Sequence, residues 1–142
     1  MKTIVIDIEQ LSERVERMSL CEKFLCVNAK SQKVGIPILD DGHRGLLGLF
    51  WRETVVRMSA MLSGWMEASV SYDSLGIPAK ITISHRKGAM KADSELMQIM
   101  IEDALVSRVM MKIGEVVWSE SDNSRLRAVA ESAVDNLLAA LL

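Results

Sequence analysis

Apolar and polar residues alternate over "TIVIDI", residues 3–8, so Ile4, Ile6 and Ile8 would share one face of a strand. Asp7 with Gln10 three positions later has the form of a capping box, in which side chains satisfy the unpaired N–H groups of a helix start. From there the apolar period lengthens. Leu11, Val15, Met18 and Leu25, with Cys21 and Cys26, fall on one helical stripe, while Leu20, Phe24 and Val27 add a second. The pattern predicts a helix running to about Ala29, buried on two sides at its far end.

"SQKVGIPILDDG" breaks the periodicity, and Pro37 disfavours helical angles at Ile36. Asp40 or Asp41 then caps a second helix, predicted to run to about Ala68. Its apolar ridge is Leu47, Trp51, Val55, Met58, Leu62 and Trp65, with Glu53 and Arg57 at i, i+4 on another face. Residues 69–88, "SVSYDSLGIPAKITISHRKG", predict a β-hairpin. Val70 and Tyr72 alternate, as do Ile81 and Ile83, around a turn segment from Asp73 to Ala79. A lone hairpin is marginal in water, so it should lie on the helices or take "TIVIDI" as a third strand.

A third helix is predicted from about Lys91 to Trp118. Its apolar residues surround the cylinder, leaving only the strip Arg108, Lys112 and Glu115, so it should be the central, most buried helix. That strip reads as a solvated helix edge, with a buried polar network as the alternative. "SESDNS" breaks the chain and caps a last helix with Leu126, Val129, Ala130, Ala133, Leu137 and Leu141 on one wide face. The expected fold is mainly α: a four-helix single domain over residues 1–142 with a small β-hairpin, extended to three short strands if residues 3–8 join it.

A chain of 142 residues can bury a core without a metal or disulfide to staple it. Seventeen basic and nineteen acidic residues are interspersed, for a net charge of −2, with no basic run. Nucleic-acid binding relies on a basic excess to displace counterions, so no nucleic-acid partner is expected. Asp7 and Glu9 interrupt the one N-terminal run that begins like a signal peptide, and no uncharged apolar stretch is long enough to span a bilayer. A cytoplasmic location and no membrane partner are therefore expected. Cys21 and Cys26, five apart on a predicted helix, point in different directions and read as small buried hydrophobes.

Candidate chemistry is sparse. "GIPILDDGHRG", residues 35–45, gathers Asp40, Asp41 and His43, and His85 is the only other histidine. Carboxylates and imidazoles suit several divalent ions, which makes a metal-dependent enzyme one reading. The spacing matches no ligand motif, however, and aspartates at a helix start need no further reason than its free N–H groups and dipole. His85, Arg86 and Lys87 beside a predicted helix start near Ala89 could hold an anion, but no glycine-rich loop accompanies them, and a solvated turn is the simpler reading. Gly-Ile-Pro recurs at 35 and 76 without the matched positions of a true repeat. No G-x-S-x-G elbow is present. Met58, Met61, Met66, Met97, Met100, Met110 and Met111 follow the apolar periodicity, so core filling is preferred to a methionine-lined surface for small molecules or peptides. No catalytic residue, metal ligand or cofactor is assigned.

The order of elements carries one resemblance. A capped helix "LDDGHRGLLGLFWRETVVRMSAML" is followed by a small β element, a long helix ending "SRVMMKIGEVVW" and a terminal helix "NSRLRAVAESAVDNLLAALL". This layout is similar to that of small helical prophage structural proteins of the head–tail joining type. The resemblance implies a non-enzymatic, oligomeric virion-assembly subunit and supplies no site residues; the hairpin departs from it, since such proteins often lack one. The ending "NLLAALL" points the same way. Leu137, Leu138, Leu141 and Leu142 make a broad apolar arc, taken as wider than one core stripe covers, so they are the candidate interface for a homo-oligomer or other protein subunits.

Overall fold

A computed structural model of the chain describes residues 3–19, 26–27, 33–34, 44–85, 94–117 and 120–141. The elements are β1 (Thr3–Asp7), α1 (Ile8–Ser19), β2 (Cys26–Val27), β3 (Lys33–Val34), α2 (Arg44–Leu62), β4 (Met66–Tyr72), β5 (Pro78–His85), α3 (Ser94–Val117) and α4 (Glu120–Leu141). The fold is mainly α, with four helices and a three-stranded antiparallel sheet of order β1-β5-β4. The N-terminal segment is thus the third strand. The short β2 and β3 form a separate antiparallel ladder, Cys26 opposite Val34 and Val27 opposite Lys33.

Register explains why the sheet is one-sided. Residues directly opposite each other in an antiparallel pair project to the same face. Ile4 faces Ile83 and Ile83 faces Ala68; Ile6 faces Ile81 and Ile81 faces Val70. These rows make the inner face, where the four isoleucines and Met66 are buried. The outer rows are Thr3–Ser84–Glu67, Val5–Thr82–Ser69 and Asp7–Lys80–Ser71, polar except for Val5. Ile8 is the last residue of the alternation and the first of α1, and it is buried like Ile4 and Ile6. Asp7 caps α1 as expected: its Oδ1 accepts from the Glu9 N–H at 2.9 Å and the Gln10 N–H at 3.3 Å.

Two helix boundaries need correction. The helix predicted to Ala29 ends at Ser19, and Cys26–Val27 is a strand. Residues 20–27 are apolar except for Glu22 and Lys23, and a short run of that kind has no period that separates a strand from a buried helix. The argument that Cys21 and Cys26 diverge on a helix loses its premise, since Cys26 is in β2; Cys21, with Leu20, Phe24 and Leu25, lies outside the described residues. The second predicted helix ends at Leu62 rather than Ala68. Ser63 closes it by donating both its N–H and its hydroxyl to the Ala60 carbonyl, and Trp65 N–H bonds back to Leu62 O at 2.9 Å. Trp65, assigned to the helical ridge, is therefore a turn residue, and β4 begins at Met66. The hairpin turn is correspondingly tighter than Asp73–Ala79, because β5 already starts at Pro78.

The central position of α3 holds. Met97, Ile101, Ala104, Leu105, Val106, Val109, Met110 and Ile113 are buried against α4, α2, α1 and β1, while Leu96 and Ile99 in its first turns are exposed. Arg14 of α1 adds an ion pair to Asp103 of α3 at 2.6 Å. On α4, Leu126, Ala130, Leu137 and Leu141 face inward, whereas Val129 of the predicted face is exposed. The candidate interface is narrowed by this packing. Leu137 (0% exposed) and Leu141 (4%) belong to the subunit's own core. Leu138 is half-buried against it, and Leu142 lies outside the described residues. At about 100° per residue the four leucines fall within an arc of roughly 140°, less than half the helix circumference, and the groove α4 occupies takes two of them fully.

Candidate functional site

The hairpin tip is built by one aspartate. Asp73 Oδ1 accepts from the N–H groups of Leu75 (2.8 Å) and Ile77 (2.9 Å). Its backbone N–H bonds to Ile77 O at 2.9 Å, and its carbonyl accepts from Gly76 N–H at 3.0 Å. The chain reverses at Gly76, whose φ of +76° is a conformation that side-chain-bearing residues rarely adopt. The tip is then seated on α2 at two points. Gly48 lets Ile77 approach so closely that a Cβ on residue 48 would lie 2.7 Å from Ile77 Cγ1 and Cδ1. One turn further on, Arg52 Nη2 donates to Gly76 O at 2.5 Å.

This docking shapes two surfaces. On one side is a cleft of about 580 Å³ between the start of α1, α2 and the hairpin. Leu47, Gly48, Trp51, Ile77 and Pro78 form its apolar lining, and Asp7, Glu9, Glu13, Asp73 and Lys80 its charged one. Asp7 and Asp73 each commit one oxygen to backbone N–H groups. The volume falls in the range of small-molecule sites. The lining offers carboxylates, one lysine and the Ser12 hydroxyl, without a histidine or cysteine. Among the described residues no three His, Cys, Asp or Glu side chains are grouped to hold a metal. On the other side are exposed apolar side chains: Leu49 (44%) and Val56 (58%), two turns apart on α2, and Tyr72 (52%) and Leu75 (78%) on the hairpin. Arg52 lies between Leu49 and Val56 along α2 and donates to Gly76 O, the carbonyl next to Leu75, so this contact ties the turn to that stretch of α2.

The strip on α3 is neither wholly solvated nor a closed network. Glu115 is exposed, while Lys112 is 14% exposed in its side chain and reaches across to α2, where Nζ bonds to Glu53 Oε2 at 2.5 Å. It also lies 6.0 Å from the centre of the Phe50 ring, within cation–π range. The hydrogen bond and the charge of Lys112 hold the Glu53 carboxyl below the usual carboxylate range, opposed by a small desolvation effect and assisted by Arg57. The Glu53–Arg57 spacing on α2 was legible in the sequence; the stronger partner was not. Arg108 Nε, Trp51 Nε1 and Thr54 Oγ1 are buried without a hydrogen-bond partner among the described residues.

Most of the sequence-derived candidates fall outside what the structure describes. Asp40, Asp41, His43, Arg86 and Lys87 lie outside the described residues. His85 closes β5 opposite Met66. Met58, Met66, Met97 and Met110 are buried, and Met61, Met100 and Met111 pack half-buried against the core, so these methionines fill the interior. Gly48, Arg52 and Asp73, which build the tip, had signals too general to single them out: a glycine within a helix, an arginine on a helix face, an aspartate in a turn.

No protein-family model, curated protein or solved structure matches the chain. No described helix is long and apolar enough to cross a membrane.

Proposed function

We propose that this chain is a non-enzymatic assembly subunit that works by docking against copies of itself. The observation that carries the reading is the exposed apolar group where the hairpin tip meets α2: Leu49, Val56, Tyr72 and Leu75. Single exposed apolar residues are ordinary, but a cluster of large ones on a fixed scaffold is the usual mark of a protein-binding surface. The scaffold here is held by backbone bonds and close packing, so presenting the cluster costs little ordering on association. The layout similarity to prophage head–tail joining proteins extends the proposal to virion assembly.

Sedimentation velocity over a concentration series tests the reading. A weight-average mass rising with concentration is expected. A strict monomer at several hundred micromolar overturns it. For the virion extension, portal or capsid genes beside this one are expected, and a setting of unrelated metabolic genes removes it.

A further inference from the structure

The two edges of the sheet are treated differently. At β1, Gln98 of α3 donates its side-chain amide to Val5 O at 3.4 Å. Val5 therefore turns its backbone groups away from β5, and the strand alternation follows from that. Ile4 and Ile6 bond to Ile83 and Ile81, while Thr82 bonds outward to Ser69 of β4. On β4, Ala68 and Val70 are then left with their N–H and C=O groups pointing away from the sheet. No described residue meets them. A row of unpaired backbone groups on an edge strand is a template for another strand.

The side chains on this edge repeat the asymmetry. Ala68 and Val70 stand on the inner face, where β1 and β5 bury every isoleucine. Yet Ala68 is exposed and Val70 only half-buried, although α2 packs against β4 and buries Met66. Glu67, Ser69 and Ser71 stand on the outer face.

We infer that β4 pairs antiparallel with β4 of a second copy, centred on Ser69, to make one continuous six-stranded sheet. This rests on the self-assembly reading and adds to its apolar surface a second contact, at the sheet edge. In that register Ala68 lies opposite the partner's Val70 and exchanges both backbone hydrogen bonds with it, which uses the groups left unpaired. Glu67 lies opposite the partner's Ser71, and Ser69 opposite the partner's Ser69, so no like charges meet. The charges select this register. A pairing centred on Glu67 sets two glutamates face to face, and one centred on Val70 sets Glu67 against Asp73. Centring on Ala68 avoids both but pairs only residues 66–70, whereas centring on Ser69 matches the whole seven-residue strand. Opposite residues share a face, so both helical layers fall on the same side, and Ala68 and Val70 are covered where the layers meet. A joint of one strand is small, which puts the affinity in the micromolar range.

Disulfide trapping tests the register. In an antiparallel pair without direct hydrogen bonds the Cα atoms lie about 4.5 Å apart, within disulfide reach. Ser69→Cys, oxidised under mild conditions and mapped by peptide mass spectrometry, is expected to give a 69–69 link. Glu67→Cys and Ser71→Cys should link poorly alone and efficiently when mixed. Ala68→Pro removes an outward N–H that the subunit's own ladder does not use, so the dissociation constant should rise at least tenfold while the circular-dichroism melt is unchanged. Should the proline unfold the subunit, Ser69→Lys serves instead, placing two cations opposite each other on an exposed face, with an association that salt partly restores. A wild-type oligomer that forms no 69–69 link and survives Ala68→Pro or Ser69→Lys overturns the joint and leaves the assembly reading intact. A wild-type monomer at several hundred micromolar overturns both.

Discussion

Replacing Gly48 by alanine sets two opposed effects against each other, and the structure says which should win. Inside an exposed helix the change gains about 0.8–1 kcal/mol, because glycine loses more backbone freedom on folding than alanine does. At residue 48 the new Cβ would lie 2.7 Å from both Cγ1 and Cδ1 of Ile77 and 3.4 Å from its Cγ2. Turning χ2 of Ile77 moves only Cδ1. Relief requires a new χ1, which a β-branched side chain resists, or withdrawal of the hairpin tip from α2. Overpacking of this kind costs about 1–3 kcal/mol, so Gly48→Ala should destabilise the chain by roughly 1 kcal/mol net. Ile77→Ala removes all three clashing atoms. Because Ile77 is half-buried, that change alone should cost about 1–2 kcal/mol, below the usual range for a fully buried isoleucine. On the Ile77→Ala background Gly48→Ala should become stabilising by about 1 kcal/mol, a coupling of roughly 2 kcal/mol. Equilibrium urea unfolding of the four proteins measures it; with slopes of about 1–3 kcal/mol/M the single Gly48→Ala change moves the midpoint by roughly 0.3–1 M. If Gly48→Ala stabilises equally with isoleucine or alanine at 77, the tip is not seated on α2 and the apolar cluster loses its scaffold.

Asp73→Ala should cost roughly 1–2 kcal/mol, since two backbone N–H groups lose their acceptor, while Asp73→Asn keeps the Oδ1 acceptor and most of the stability; equal losses in urea unfolding would show that the Oδ1 bonds do not hold the tip. The carboxyl of Glu53 is depressed in the folded state, so its contribution is present above the ordinary carboxylate pKa and lost as pH falls through the lower folded value. The melting-temperature gap between wild type and Glu53→Gln should therefore be open at pH 7 and close below about pH 4, and a gap independent of pH removes the ion pair as its cause. Leu137→Glu buries a charge and should abolish cooperative unfolding, whereas Leu138→Glu should leave a folded subunit by circular dichroism; the reverse result would mean that α4 presents the opposite face to the core.

Legibility along this chain tracks how many arrangements each apolar pattern permits. Ile4, Ile6 and Ile8 have a single period, and the strand and its buried face followed from it. α3 was legible for the opposite reason: a helix apolar all round has to be surrounded. Residues 20–27 permit both a strand and a two-faced helix, and the sequence offers no breaker to decide between them. Between Leu62 and Val70 two periods overlap. Trp65 extends the helical ridge, while Met66, Ala68 and Val70 already alternate; only Ser63 and Gly64 mark the change. The site was less legible because its contacts are distant in sequence. Gly48 matters through Ile77, and Glu53 through Lys112, fifty-nine residues away. Neither partner leaves a local signal on the other. The terminal leucines misled because their arc, only about 140° at 100° per residue, is no wider than a deep groove can cover.

The edges of the sheet also bear on what kind of assembly the chain can make. A strand edge open on both sides of a subunit propagates, as in fibres, while an edge consumed by a two-fold joint closes. Here β1 is met by Gln98 and packed against α3, so it offers no comparable template. β4 is the open edge, and a pairing centred on Ser69 occupies all seven of its residues, which leaves no strand edge for a further copy. Strand pairing in this chain should therefore stop at two copies. Any larger assembly has to grow through a different surface, and the exposed apolar residues on α2 and the hairpin tip, which β4 pairing leaves uncovered on α2, are where that growth would occur.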